Sequence, residues 1–385
     1  MDRFFAVESA SAWVLVVATV LALGLAHLPV GDRFHHALHR MIRVGTHAWS
    51  LESFIGEGLM TGFFFLVGLE LRRERLVGVL REARGAALPL FAALGGMLVP
   101  AIVYLAVARE RWALPGWGIA AATDIAFAAA GLSLAGGRLP ASSRPLLLSI
   151  AVLDDLGAIA VLALGYGAAF EAFPLVVACV CAGAMAMLRP RNRGTWVLFG
   201  GLAIGVWAGL SSAGIHAALS GVVFAAVWPT RTTEPDETAR VLGRVIDHVH
   251  RPVAFGVMPI FAFAHAGVRF VGVGPSADAP MAARVATAVA LALVLGKPLG
   301  MTLGARLATS LGLAVLPHGM RWLDVAVLGM LGGIGFTMSL LIAEKAFASE
   351  SLLHGAKLGI LLGSVLAATT AAVTARLFLP RLKTE

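Results

Sequence analysis

Apolar stretches of roughly 20 residues recur along the whole chain, separated by shorter polar connections. That is the length a hydrocarbon core of about 30 Å demands of a helix. Twelve such stretches, some interrupted, are predicted at roughly 11–30, 58–71, 86–107, 117–136, 146–168, 174–188, 195–210, 213–229, 253–270, 285–306, 323–344 and 357–380. Backbone N–H and C=O groups in lipid must be satisfied within the segment, so the spans predict an all-α polytopic membrane protein and not a barrel. Composition agrees: 14% of the 385 residues are charged and 59% are hydrophobic, whereas a soluble domain carries about 25% charged residues. No Pro/Ser-rich linker or charge run divides the chain, so residues 1–385 are read as a single transmembrane domain. The most polar connection, Thr230 to Arg251, is read as a cytoplasmic loop.

The first span is too long for a secretion signal, and Asp2 and Glu8 dilute any positive leader. Assigning Lys and Arg to alternate sides of the membrane gives 20 on one side and 9 on the other, with Lys297 left in mid-span. The positive-inside rule then predicts that both termini are cytoplasmic. The formal charge of +8 is scattered over short loops, so it reflects topology, and nucleic-acid binding is not expected. Cys179 and Cys181, two apart in an apolar stretch, suit neither a disulfide framework nor a metal site.

With that topology span four runs inward and span eleven outward, and both are interrupted. Span four carries Thr123-Asp124, and span eleven carries Gly332-Gly333-Ile334-Gly335-Phe336-Thr337. Paired, interrupted segments in opposite halves of a chain are the sequence mark of an inverted-repeat transporter with its binding site at the midplane.

Asp154 and Asp155 fall about nine residues into their span, roughly 12–14 Å from its start and near the bilayer centre. Each acid there costs on the order of 2.5–3.5 kcal/mol on insertion scales, so the pair requires compensation. A structural partner for a basic residue is the plain reading; a functional site is the sharper one. Adjacent helical residues point about 100° apart, so the two acids can do different jobs. Lys297 is the only base near the centre of a span, and Asp124, Asp154 and Asp155 are the acids at its depth. Desolvation disfavours the charged form of an acid and an opposite charge favours it, so a site poised between them is able to carry protons. Asp124 is also suited to neutralising helix termini at a break. The run around Gly333, Gly335 and Thr337 reads either as close small-residue packing or as an unwound segment exposing backbone groups. Glu70, Arg73 and Glu74 end span two as a charge-compensated helix end or a pH-responsive cluster, and His216 suits a packed histidine as well as a sensor.

Taken together, six segments resemble the NhaA family of bacterial sodium/proton antiporters. They are Gly58-Leu-Met-Thr-Gly-Phe-Phe-Phe-Leu-Val-Gly-Leu-Glu-Leu-Arg-Arg-Glu74, Ala122-Thr-Asp-Ile-Ala-Phe127, Leu153-Asp-Asp-Leu-Gly-Ala-Ile159, Gly214-Ile-His-Ala217, Gly296-Lys-Pro-Leu-Gly300 and Gly333-Ile-Gly-Phe-Thr-Met-Ser339. The resemblance implies a fold of about 12 helices with inverted repeats, in which broken helices 4 and 11 cross. Helices 3–5 and 10–12 would form a core bundle, and the remaining helices a second. It implies Asp155 as principal sodium and proton ligand, Asp154 as its proton-carrying partner paired with Lys297, and Asp124 with Thr123 at the crossing. It places Glu70, Arg73 and Glu74 in pH activation, and Asp247 and His248 in the corresponding loop. Two departures bear on the pH set-point: His265-Ala266-Gly267 stands where the family usually has Asn-Ala-Gly, and Asp247-His248-Val249-His250-Arg251 where it has Glu-His-x-x-His.

The implied activity is exchange of Na+, and of Li+, for H+ by alternating access in the bacterial inner membrane, without a cofactor and without enzymatic chemistry. The partners expected are Na+, H+ and lipid; the family often forms dimers. Three competitors have discriminators. An intramembrane aspartyl protease lacks support because no Gly-x-Gly-Asp motif is present; a cation channel would show no obligatory proton counterflux; a sodium symporter would require an organic substrate.

Overall fold

The computed structural model describes residues 2–44, 47–134, 138–166, 171–188, 190, 192–230, 234–268 and 279–380. Among them, seven helices are long and apolar enough to cross a bilayer: Ala10–His27, Leu51–Val77, Gly85–Val107, Ser143–Ala163, Arg193–Ser212, Ala279–Ser310 and Glu350–Phe378. Trp322–Gly332 and Phe336–Ala346 are together long and apolar enough to cross, bent by 52° at a short break. Large apolar side chains such as Leu98, Ile102, Val197, Ile204, Leu303 and Val365 are exposed on these helices, whereas Asp154, Asp155 and Lys297 are fully buried. That inversion of the soluble pattern is what a lipid solvent selects. The chain is a multi-pass helical membrane protein.

The chain divides into two compact units. The first comprises Met1–Leu28, Glu82–Ala158 and His265–Glu385, and small residues set its packing. A Cβ on Gly359 would stand 2.5 Å from the Ala286 carbonyl oxygen, and one on Gly363 3.1 Å from Ala290 Cα. Gly296, Gly300 and Gly304 likewise press on the backbone of Pro100, Gly95 and Phe91 in the Ala83–Val107 helix. With no hydrophobic drive between helices in lipid, close backbone approach is how van der Waals packing is maximised.

The second unit comprises Pro29–Arg81 and Ile159–Ala264. Its Leu51–Val77 span starts seven residues before the predicted onset, because Ser50 and Ser53 cap each other reciprocally and a π-turn over Phe54–Leu59 carries the helix past Glu57. The expected span 213–229 is broken near its start: Gly214 has φ +80°, a 3-10 turn covers Ala217–Leu219 and the helix proper is Ser220–Val227. The polar connection read as a loop is instead a helix, Pro235–Pro252. Proline at the first turn, Asp236 and Glu237 near the N-terminus and His250 and Arg251 in the last turn complement the helix dipole. Leu242, Ile246 and His250 are buried along one face, a 3.6-residue pattern that the high charge content hid. Gly31–His39 is a further helix, and Ile42–Val44 pairs antiparallel with His47–Trp49, a local exception to the all-α expectation.

Candidate functional site

Two interrupted segments of the first unit meet at the site. A 3-10 turn over Leu114–Gly118 leads into non-helical backbone through Asp124, after which the Ile125–Leu134 helix begins. The second interruption separates Trp322–Gly332 from Phe336–Ala346. The breaks are tied together: the Asp124 N–H donates to the Ile334 carbonyl at 2.7 Å, and the Thr123 hydroxyl contacts the Gly332 carbonyl at 2.8 Å. The Phe127 and Phe336 rings meet edge to face beside them, with centroids 5.2 Å apart.

Asp124 caps two helices at once. Its Oδ1 accepts the Phe127 N–H at 3.3 Å. Its Oδ2 accepts the Thr337 N–H at 3.3 Å and the Thr337 hydroxyl at 2.6 Å. Orphan N–H groups and the positive end of the dipole at each N-terminus both favour a carboxylate there. Ser364 contributes from the C-terminal helix, its Oγ accepting the Phe336 N–H at 3.4 Å.

Asp154 lies on the Ser143–Gly165 helix and faces these breaks. Its Oδ2 is 2.8 Å from Lys297 Nζ and 2.7 Å from the Thr123 hydroxyl. Lys297 spends a second hydrogen on the Ala121 carbonyl at 2.7 Å. Both members of the pair are wholly buried, in a setting where Coulomb attraction is strong and desolvation costly. Asp155, also buried, follows one residue on and points about 100° around the axis. Thus Thr123, Asp124, Asp154, Lys297 and Thr337 converge with the Gly332–Gly335 backbone into one polar cluster between apolar helices.

Residues 2–375 match the Na+/H+ antiporter 1 family. The chain belongs to that family. It is 44% identical to Na(+)/H(+) antiporter NhaA 2 of Pseudomonas syringae pv. syringae, over 99% of this chain and 96% of the relative. It is 41% identical to the NhaA 2 protein of Myxococcus xanthus, over 98% and 88%, and 37% identical to NhaA of Vibrio campbellii, over 99% and 96%.

Of the remaining residues singled out from the sequence, Glu70, Arg73, Glu74, His216, Asp247 and His248 lie in the second unit and His265 in the first. Arg73 is exposed and its guanidinium passes Gly243, 3.8 Å from where a Cβ would stand. The Glu74 carboxylate folds over Gly78, and Glu70 is half-buried on the same helix. Asp247 is exposed, and His248 Nδ1 lies 2.7 Å from the Arg244 carbonyl. His216 is buried at the start of the Ala217–Leu219 turn.

Two participants escaped the sequence reading, the Ala121 and Gly332 carbonyls, which no residue type announces. Away from the site, in the second unit, Arg72 Nη1 donates to the Ala225 and Trp228 carbonyls at 3.1 and 2.9 Å, closing the C-terminal end of the Ser220–Val227 helix.

Proposed function

We propose that this protein is a secondary active antiporter that exports Na+, and Li+, in exchange for H+. The observation that carries the reading is the buried Asp154–Lys297 pair, 2.8 Å apart, tied through Thr123 to the interrupted backbone at Gly332. A carboxylate at that depth is retained where charge must be bound and released. Na+ and H+ compete for Asp155 and Asp154. Proton occupancy expels Na+, Lys297 compensates Asp154 when Na+ is absent, and Asp124 with Thr123 and Thr337 holds the two broken segments in register.

The reading extends to twelve spans with inverted repeats. Broken helices 4 and 11 cross, a core bundle is formed by helices 3–5 and 10–12 and a second bundle by the others, and all lie within one domain of residues 1–385. Both termini are cytoplasmic in a bacterial inner membrane, a placement supported by the excess of Lys and Arg on one side. Two protons enter for each Na+ leaving, so one net charge moves inward, worth about 2.3 kcal/mol per 100 mV of membrane potential. Glu70, Arg73, Glu74, Asp247 and His248 set the pH dependence, and a homodimer is the expected assembly. No cofactor is required.

The test is pH-gradient dequenching in everted membrane vesicles on adding Na+, Li+ or K+, with wild type and Asp155→Asn. Na+-triggered alkalinisation of the lumen that vanishes in the variant supports exchange and its site together. Full Na+ response in Asp155→Asn sinks the site assignment, and no wild-type response to any of the three cations between about pH 6.5 and 9 sinks the function.

A further inference from the structure

The helix that delivers Lys297 to Asp154 is not α-helical just before it. Ala292–Gly296 form a π-turn in which the Lys297 N–H bonds the Ala292 carbonyl, and Pro298 comes next. A carbonyl in an α-helix accepts from the N–H four residues on, and in a π-helix from the N–H five residues on. For Leu293 the first of these donors is committed to Ala292, and the second is a proline nitrogen without hydrogen. The Leu293 carbonyl is thereby released from helical pairing, in a residue that is wholly buried.

The released carbonyl meets the break in the neighbouring helix. A Cβ on Gly333 would stand 2.5 Å from the Leu293 oxygen, and one on Gly335 3.1 Å from Leu293 Cδ2. A Cβ on Gly329 would stand 2.6 Å from Pro298 Cα, so the last turns of Trp322–Gly332 lie on the proline itself. The Phe336–Ala346 helix starts just beyond, with the positive end that Asp124 compensates.

We propose that the Leu293 carbonyl is a positioning group of the exchange site. Freed by the π-turn and Pro298, it stands against the Cα of Gly333, whose own N–H is taken by the Gly329 and Met330 carbonyls, and by that backbone contact it holds Gly333–Gly335 unwound. One short stretch then serves both halves of the site: Lys297 reaches Asp154 with its side chain, and Leu293 reaches the broken helix with its backbone. The inference rests on the Na+/H+ exchange reading above, since an unwound segment matters there by presenting backbone groups to the cation.

Pro298→Ala supplies the missing N–H in the π register while keeping the Cα on which Gly329 packs. Capture of the Leu293 carbonyl by that N–H is expected to raise the apparent KM for Na+ roughly 3- to 10-fold, the change that one neutral hydrogen bond brings. The maximal rate per molecule inserted and the thermal midpoint in detergent are expected to hold, because the variant gains a bond. An unchanged KM overturns the proposal, as does a loss of rate and thermal midpoint with KM unaltered, the signature of a merely structural role. If Pro298→Ala fails to insert, Gly333→Ala, which drives a methyl at the same oxygen, decides: a raised KM supports the proposal and an unchanged one overturns it. Absence of Na+ exchange in the wild type would be a different result, refuting the exchange reading itself and the inference with it.

Discussion

Lys297 Nζ lies 2.8 Å from Asp154 Oδ2 with both side chains shut off from solvent. Each charge has given up its hydration, and what offsets that loss is the partner together with the Thr123 hydroxyl and the Ala121 carbonyl. Removing one member strands the other, which costs about 3–5 kcal/mol in buried pairs, whereas removing both is often near neutral.

Lys297→Met is therefore expected to lower the thermal midpoint in detergent markedly, and Asp154→Asn combined with Lys297→Met to recover most of the loss. Unfolding curves of the wild type, the single variants and the double variant check this. A double variant no more stable than Lys297→Met would mean that the two residues do not compensate each other.

Asp124 is expected to matter for its charge and its geometry separately. Asp124→Ala abandons acceptors for Phe127 N–H, Thr337 N–H and the Thr337 hydroxyl. Loss of an N-cap costs about 0.5–2 kcal/mol, and two helix starts are affected. Asp124→Asn keeps one acceptor oxygen and loses the interaction of charge with two dipoles, about 0.3–1 kcal/mol each at exposed sites and up to about 2 where partly buried. The expected order of thermal stability is wild type, then Asn, then Ala, with transport following the same order. Equal stability of all three would remove Asp124 from the capping role.

Most of this site could be read from the sequence because intramembrane charge is so costly that each instance is a signal. Asp154, Asp155 and Lys297 stand out against apolar neighbours, and Thr123-Asp124 and the Gly332–Gly335 run mark interruptions without any structure. What could not be read is backbone chemistry. The Ala121, Gly332 and Leu293 carbonyls act through their position, and a π-turn inside an apolar run leaves no compositional trace. The Pro235–Pro252 helix was missed for the opposite reason: its charge suggested a loop, while Leu242, Ile246 and His250 gave it a buried stripe. Short elements such as Ser220–Val227 fall below the length that periodicity resolves.

Gly300 and Gly304, further along the helix that carries Lys297, press on the backbone of the Ala83–Val107 helix, and that yields a sharp contrast. A Cβ on Gly304 would fall 2.8 Å from the Phe91 carbonyl carbon, against rigid backbone of the Ala83–Val107 helix. Gly200, in the Arg193–Ser212 helix, has nothing within 4 Å of the same added atom. Alanine at Gly304 must push two helices apart, at a cost of about 1–3 kcal/mol for overpacking, and in doing so draws Lys297 away from its partner. Alanine at Gly200 meets open space and gains about 0.5–1 kcal/mol from the lower entropy of the unfolded chain. Gly304→Ala is thus expected to lower both the thermal midpoint and the Na+-dependent signal in vesicles, and Gly200→Ala to raise the midpoint slightly with transport unchanged. Midpoints and dequenching rates measured side by side test this, and a Gly304→Ala protein as stable and active as Gly200→Ala would show that backbone contact with Phe91 does not set the position of the lysine.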